Sequence, residues 1–137
     1  MIIIAVDYGD VRTGLAVCDK NEILASPVAV ITESDRERLI EKIIDYARER
    51  QAEAFVVGLP KNMDGTEGFR AEATYAFTDD LKKIYGGEII HWDERLSTVS
   101  AARVLNETNT RGKNRKKVLD TVAACFILEN YLNHSRM

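Results

Sequence analysis

The sequence predicts an α/β domain in which a mixed five-stranded sheet is flanked by helices. The sheet consists of a three-stranded antiparallel meander followed by two parallel strands. Three observations predict it: a first segment that is apolar throughout, two further segments that alternate apolar and polar residues, and two later apolar segments that each follow a helical pattern. The chain of 137 residues is long enough for one domain with its own core, so we expect residues 1–137 to form a single domain.

The first strand comprises the apolar residues 2–6, which are rich in Ile and Val and lead directly into Asp7. Such a run is typical of a strand covered on both faces, in the middle of a sheet. Because side chains alternate along a strand, Asp7 shares a face with Ile3 and Ala5. A carboxylate on an apolar face costs free energy unless a positive group meets it. Asp7 therefore starts a turn, pairs with Arg12, or holds a metal ion at the carboxyl edge of the sheet.

Two alternating segments and a helix follow the first strand. Residues 12–19 and 22–31 alternate well enough to form two antiparallel strands that turn at residues 19–22. Residues 33–50 form a helix, because apolar residues recur there at helical spacing while Glu, Arg and Lys occupy the other face. The apolar face of this helix consists of Leu39, Ile40, Ile43, Ile44 and Ala47.

The second half of the chain adds two parallel strands. Residues 53–58 form a buried strand, and its entry from a helix implies a parallel crossover. A second helix spans residues 68–85 and is stopped by the Gly pair that follows it. The last strand spans residues 88–92. The sheet is then complete with five strands.

Two further helices complete the chain. Ser97 can cap a helix that runs to residue 107, and residues 115–132 form the closing helix. Three meander strands followed by right-handed crossovers are the element order of the ribonuclease H-like fold, and we predict that fold from the pattern.

Composition limits the classes of protein to be considered. The chain carries 45% apolar and 30% charged residues and a net charge of −3, which is ordinary for a soluble globular protein and by itself argues neither for nor against nucleic acid. It contains no apolar run of about 20 residues, and we expect its N-terminal segment to be a strand rather than a signal peptide. Cys18 and Cys125 lie in apolar patterns and are expected to be buried thiols of a cytoplasmic protein.

A second acidic position follows the last strand, which leads directly into Asp93 and Glu94. By alternation Glu94 lies on the face of Ile90 and Trp92, and Asp93 lies on the other face. Because parallel strands end at the same edge of a sheet, this pair is expected close to Asp7. The alternative is a loop acid that pairs with a neighbouring arginine or leads the next helix. Whether Asp93 joins or replaces Glu94 stays open, and we favour Glu94 for its longer reach and its face.

Asp120, in the closing helix, is the third acid. At helical spacing it falls on one stripe with Ala123, Ala124, Ile127 and Tyr131. The two alanines would let the helix pack close to the sheet, so Asp120 is expected to face inward. The alternative is a surface acid that pairs with a nearby lysine.

Three carboxylates that converge would repel one another, and a divalent cation removes that repulsion. Mg²⁺ takes oxygen ligands, and two such ions about 3.5–4 Å apart can activate a water and stabilise the leaving oxygen of a phosphodiester. The chain has only two histidines and no Cys/His cluster, which argues against zinc and for a hard, oxygen-liganded metal.

Basic residues near these acids suit a polyanion. Five cations lie within residues 111–117, just before Asp120, where the helix dipole disfavours them. Phosphate contact explains such a cluster, and a solvated charge run is the alternative. The loop at residues 59–67 follows a parallel strand at the same edge. It carries Lys61, which could contact phosphate, and Gly58 and Gly65 allow a close backbone approach.

The chain resembles the YqgF/RuvX family in four motifs that follow one another over nearly its whole length. They are Asp7-x-Gly9-x-x-Arg12-x-Gly14-x-Ala16, Gly58-Leu-Pro60-x-x-x-Asp64-Gly65, Asp93-Glu-Arg-Leu-Ser-Thr98 and Lys117-x-x-Asp120-x-x-Ala123-Ala124-x-x-Ile127-Leu128. Members of this family are ribonuclease H-like proteins assigned as Holliday junction resolvases or as nucleases that mature the 5′ end of the small-subunit ribosomal RNA precursor.

The resemblance implies a Mg²⁺- or Mn²⁺-dependent endonuclease whose metal-binding catalytic triad is Asp7, Glu94 and Asp120. Asp7 would bind both ions, and the other two acids would complete one site each. The substrate is expected to be pre-16S ribosomal RNA, with branched DNA as the alternative, and the protein a monomer or a homodimer. The side chains implied to face nucleic acid are Arg12, Lys61, Arg95, Arg111, Lys113, Arg115, Lys116 and Lys117.

Two other functions remain open at the level of sequence. The chain could be an RNA- or ribosome-associated assembly factor in which the acids are vestigial or hold metal only for structure. A strand followed by Asp-x-Gly and a second strand also opens actin-like and sugar kinase folds, which transfer phosphate from ATP. Those folds need two such domains around the nucleotide, and this chain has room for one.

Overall fold

The computed structural model describes residues 1–96 and 113–135, with side chains described except at residues 96 and 113–121. The strands in this part of the chain are β1 (Ile3–Asp7), β2 (Arg12–Cys18), β3 (Ala25–Thr32), β4 (Ala54–Leu59) and β5 (Glu88–Asp93). The α-helices are α1 (Arg36–Glu49), α2 (Phe69–Ile84) and α3 (Lys113–Ser135), and a short 3-10 helix spans Glu94–Leu96. None of the helices in these ranges is long and apolar enough to cross a membrane.

The five strands form one sheet in the order β3-β2-β1-β4-β5. β1 pairs antiparallel with β2 and parallel with β4, and β4 pairs parallel with β5. The sequence prediction of an antiparallel meander followed by two parallel strands is therefore confirmed. β1 lies in the centre of the sheet with all five of its residues buried, as its unbroken apolar run predicted.

The two faces of the sheet carry separate cores. One core joins Ile4 and Val6 of β1 to the apolar faces of α1 and α2. The other joins Ile3 and Ala5 to α3, whose Ala123 and Ala124 are fully buried. Small side chains allow a helix to approach a sheet closely, as the alanine stripe predicted. Asp7 belongs to this second face, because strand residues alternate between the two.

Two elements begin three residues later than the sequence predicted. β3 starts at Ala25 rather than at residue 22, because the Asp19 carboxylate accepts hydrogen bonds from the backbone N–H groups of Ile23 and Leu24 at 2.8 and 2.9 Å. These bonds hold the turn in a shape that is not paired with β2. α1 starts at Arg36 rather than at residue 33, because Asp35 is its N-cap. Both differences come from side chains that bond to the backbone. The predicted helix at residues 97–107 lies outside the described residues.

Replacing the N-cap residue, Asp35→Ala, is expected to lower the stability of the fold and leave its chemistry intact. The Asp35 carboxylate accepts a hydrogen bond from the Arg38 N–H at 3.1 Å, and losing such a cap costs about 1 kcal/mol. We expect Tm to fall by a few degrees in a thermal melt. Asp45→Ala, which removes an exposed acid from the same helix, is the control and should leave Tm almost unchanged. An equal fall in both variants would contradict the capping role.

Candidate active site

Asp7 lies at the carboxyl end of the central strand and is 6% exposed. It pairs with Gly14 of β2, and its neighbour Val6 pairs with Val57 of β4, which sets Asp7 beside Gly58. Its side chain points to the face that α3 covers. Two glycines thus flank this carboxylate on the adjacent strands, and neither carries a side chain that would fill the space beside it.

The next residue, Tyr8, anchors the end of β1 on the opposite face. Its ring stacks on that of Phe77 of α2, with centroids 4.3 Å apart and planes 8° from parallel. Stacked rings of this kind hold both side chains in place. The strand end that carries Asp7 is therefore fixed from the other side of the sheet.

Glu94 follows β5 and is also 6% exposed. A Cβ atom built on Gly58 would lie 2.7 Å from Glu94 Oε1 and 3.3 Å from its Cγ, so the Glu94 side chain rests directly on the Gly58 backbone. The same Cβ would lie 2.6 Å from Ile127 Cδ1, which places Glu94 on the face of α3. Neighbouring strands lie about 4.8 Å apart, so Asp7 and Glu94 occupy the same edge of the sheet, on either side of Gly58.

Asp120, the third predicted acid, lies in α3 three residues before the buried Ala123. Its side chain is outside the described part of the structure, so its inward orientation stays a prediction. Among the side chains that are described, no three His, Cys, Asp or Glu residues come together in a way that could hold a metal ion. The described part of the site is thus a pair of buried carboxylates.

Asp93 points elsewhere. Its carboxylate accepts hydrogen bonds from Arg95 Nε at 3.1 and 3.2 Å and from Arg95 Nη2 at 2.7 Å. The bonds from Arg95 hold the pKa of the Asp93 carboxyl below its ordinary value. For Asp93 the structure therefore contains the loop ion pair that the sequence left open as an alternative. Glu94 is the residue of the two that rests beside Gly58.

The loop between β4 and α2 is ordered by its own polar groups. The Asn62 N–H donates to the Thr66 carbonyl at 2.9 Å, and the Asp64 carboxylate accepts from the Thr66 hydroxyl at 2.6 Å. Lys61 lies 3.7 Å from Glu67, and the hydroxyl of Tyr75 in α2 donates to the same Glu67 oxygen at 3.0 Å. Lys61 thus has a defined position in this loop, next to Glu67.

The other predicted basic residues are placed in part. Arg12 begins β2 two residues before Gly14, so it belongs to the face that carries Asp7. Arg95 is bound to Asp93, as described above. Arg111 lies outside the described residues. The remaining cations lie in the first turns of α3, where the side chains are not described; they are Lys113, Arg115, Lys116 and Lys117.

Comparison with known proteins assigns the chain to a family. Residues 1–134 match the profile of the family described as "RuvX: Holliday junction resolvase". The chain belongs to the RuvX family. Two curated relatives named "Putative pre-16S rRNA nuclease" are similar over almost all of both chains. The relative from Halothermothrix orenii is 46% identical over 134 residues, covering 98% of this chain and 96% of its own. The relative from Agathobacter rectalis is 40% identical over 137 residues, with the same two coverages.

Solved structures support the same fold for this RuvX-family chain. Thermus thermophilus RuvC in complex with a Holliday junction substrate superposes with a TM-score of 0.62, at 13% identity, over 98% of this chain and 96% of that chain. The fowlpox virus Holliday junction resolvase superposes with a TM-score of 0.54, at 15% identity, over 98% and 99%. The predicted family resemblance and the predicted ribonuclease H-like fold are both confirmed, and a nuclease is the class of protein that the family description names.

The two described acids of this RuvX-family site fit a hard divalent cation. Both donors are buried carboxylates on the same face of the sheet, and the absence of a side chain at Gly58 lets Glu94 pack directly on the backbone of β4, on the strand next to Asp7. Such oxygen donors suit Mg²⁺ or Mn²⁺ rather than zinc. The Asp93–Arg95 pair was left open as an alternative at the level of sequence, whereas the packing of Glu94 on Gly58 was not predicted. The Asp-x-Arg spacing indicates the ion pair. The contact of Glu94 with Gly58 depends instead on how β4, the 3-10 helix and α3 pack together.

Proposed function

We propose that this RuvX-family chain is a Mg²⁺- or Mn²⁺-dependent endonuclease that hydrolyses phosphodiester bonds in structured nucleic acid, with the precursor of 16S ribosomal RNA as its preferred substrate. The observation that carries the proposal is the pair of buried carboxylates, Asp7 and Glu94, on either side of Gly58 at the carboxyl edge of the sheet. Open α/β sheets bind their ligands at this edge.

In this proposal Asp7, Glu94 and Asp120 hold the metal ions. When bound, the ions would neutralise charge on the phosphate and lower the pKa of an attacking water. Asp7 and Glu94 keep their oxygens fixed by burial, so little reorganisation is needed when the substrate arrives. Water attacks phosphorus in line with the leaving oxygen, so that one P–O bond forms and the opposite P–O bond breaks. The attacking water gives up a proton to the solvent, and the leaving oxygen takes up a proton from it. Arg12 and Lys61 contact the phosphates on either side and set the register of the strand.

The choice of RNA precursor rests on the names of the curated relatives, which are 40–46% identical to this chain. The family description, by contrast, names a Holliday junction. Junction resolution needs two symmetric cuts and therefore a C2 dimer, whereas a processing nuclease can act as a monomer. We expect a nuclease that processes bacterial ribosomal RNA to act in the cytoplasm. The two substrates therefore predict different assembly states as well as different products.

Cleavage of a 16S ribosomal RNA precursor and of a four-way DNA junction, measured side by side with Mg²⁺, Mn²⁺ or EDTA, tests the proposal. We expect cuts in the RNA precursor that require metal and are lost in EDTA, and slower or no cleavage of the junction. Sedimentation of the same preparation gives the assembly state. Faster cleavage of the junction by a dimer would favour the resolvase. Binding of RNA without cleavage of either substrate would contradict the nuclease and favour an assembly factor.

Asp120→Asn tests the third acid of the proposed triad. If Asp120 holds metal together with the other two acids, its loss removes a ligand, and we expect cleavage to fall by at least about a hundredfold. Asp45→Asn, which changes an exposed acid of α1, is the matched control. Full activity of Asp120→Asn would exclude Asp120 from the triad while leaving the roles of Asp7 and Glu94 to be tested separately.

A further inference from the structure

We propose that Asp93 is a positioning residue: it fixes the guanidinium of Arg95, and Arg95 in turn supports the loop at residues 60–67 beside the acids. The role assigned to this loop rests on the proposed nuclease function. It also answers the question that the sequence left open, because it gives Asp93 a function other than metal binding.

Asp93 and Arg95 form an ion pair with a defined geometry. Both oxygens of Asp93 accept hydrogen bonds from Arg95: Oδ1 from Nε at 3.2 Å and Oδ2 from Nε and Nη2 at 3.1 and 2.7 Å. Oδ1 also accepts from the Arg95 backbone N–H at 2.9 Å. A bidentate fork of this kind sets the orientation of the guanidinium as well as its distance. Both carboxylate oxygens of Asp93 are thus hydrogen-bonded to the same arginine.

The other end of the guanidinium contacts the loop between β4 and α2. Arg95 Nη1 donates to the Met63 carbonyl at 3.4 Å, at the tip of the loop. A Cβ built on Gly65 would lie 3.3 Å from the same nitrogen, so the backbone of the loop passes directly over the guanidinium. Gly65 has φ +89°, a conformation that favours glycine, and its N–H donates to the Asn62 carbonyl at 2.9 Å. The turn at residues 62–65 therefore packs directly against the guanidinium of Arg95.

The charges of Asp93 and Arg95 cancel. Asp93 and Arg95 carry opposite charges and lie in contact, so together they add no net positive charge to attract a phosphate. Lys61 at the base of the loop lies farther from its acidic partner, at 3.7 Å from Glu67. Arg95 was predicted from the resemblance to face nucleic acid. Its contacts with Asp93 and Met63 assign it instead to holding the loop that carries Lys61.

Two variants, Asp93→Asn and Arg95→Lys, test the proposal. Asp93→Asn removes the negative charge that pairs with the guanidinium of Arg95. Arg95→Lys keeps the positive charge, but an ammonium group cannot bond to both oxygens of Asp93 and to the Met63 carbonyl at once. In both variants we expect amide hydrogen exchange at Gly65 and Thr66 to accelerate about tenfold, because the loop opens more easily. We expect KM for the nucleic acid to rise about tenfold, with kcat changed much less and with an unchanged Mg²⁺ concentration for half-maximal rate.

Asp80→Asn is the matched control, because Asp80 is a partly exposed acid that also bridges an arginine, Arg36 at 3.0 Å, away from the loop. It should alter neither loop exchange nor KM. Unchanged exchange at Gly65 in both test variants would overturn the proposal. So would a raised Mg²⁺ requirement in Asp93→Asn, which is the behaviour of a metal ligand. A KM of Arg95→Lys close to that of the wild type would also overturn the proposal, because it would mean that Arg95 acts only through its positive charge. Exchange needs no cleavage, so this result stands apart from the test of nuclease activity.

Discussion

Asp7→Asn is expected to reduce kcat for metal-dependent cleavage about a thousandfold, because a site of this kind stabilises the transition state by several kcal/mol. Asparagine has nearly the same shape as aspartate but lacks the charge that a divalent cation needs. Asp7 ends the central strand and is 6% exposed, so no other side chain can easily move into its place. Single-turnover cleavage of the RNA precursor, with enzyme in excess, measures the effect on chemistry directly.

Asp7→Asn needs two controls. One is a check that the variant is folded, and the other is the cleavage rate of Asp45→Asn, which changes an exposed acid of α1. Far-UV circular dichroism and a thermal melt should give a folded protein, because the change is isosteric and the cores on both faces of the sheet are untouched. RNA binding in EDTA should also persist, since the phosphate contacts come from other residues. If Asp7→Asn cleaves both substrates at the wild-type rate, the carboxylate site has no catalytic role and the binding function becomes the better explanation.

The convergence of Asp7 and Glu94 could be predicted from the sequence because two simple rules act together. Parallel strands end at one edge of a sheet, and side chains alternate between its faces. β1 and β5 are both parallel to β4, so the acids that follow their apolar runs lie at that edge. Alternation then distinguishes Glu94 from Asp93. The same regularity made the meander and the two crossovers predictable.

What the sequence could not supply depends on individual hydrogen bonds made by side chains, some of them local and one of them between distant segments. Arg95 was expected to face nucleic acid, but its position depends on Asp93 and on the carbonyl of Met63, 32 residues earlier in the chain. The late starts of β3 and α1 depend on whether the carboxylates of Asp19 and Asp35 bond to nearby backbone N–H groups. Hydrophobic periodicity carries no information on such bonds, so it locates elements better than it locates their ends.

Gly58→Ala is expected to damage both stability and activity, because the new methyl group would occupy the space between two side chains. Its Cβ would lie 2.6 Å from Ile127 Cδ1 and 2.7 Å from Glu94 Oε1, and both atoms would have to move. Overpacking of this kind costs about 1–3 kcal/mol, which lowers Tm by several degrees in a domain of this size. A carboxylate displaced by about 1 Å can cost about a hundredfold in rate. Gly86→Ala is the control, since nothing lies within 4 Å of its Cβ.

A double variant separates the two effects of Gly58→Ala. Ile127→Val removes Cδ1 and alone costs about 1 kcal/mol. In Gly58→Ala/Ile127→Val the new methyl group can occupy the space that Cδ1 leaves, so Tm should return close to that of Ile127→Val. The contact with Glu94 remains in the double variant, so cleavage should stay about a hundredfold below wild type. Recovery of activity together with Tm would mean that Gly58 matters only for packing against α3, and that the position of Glu94 does not limit the reaction.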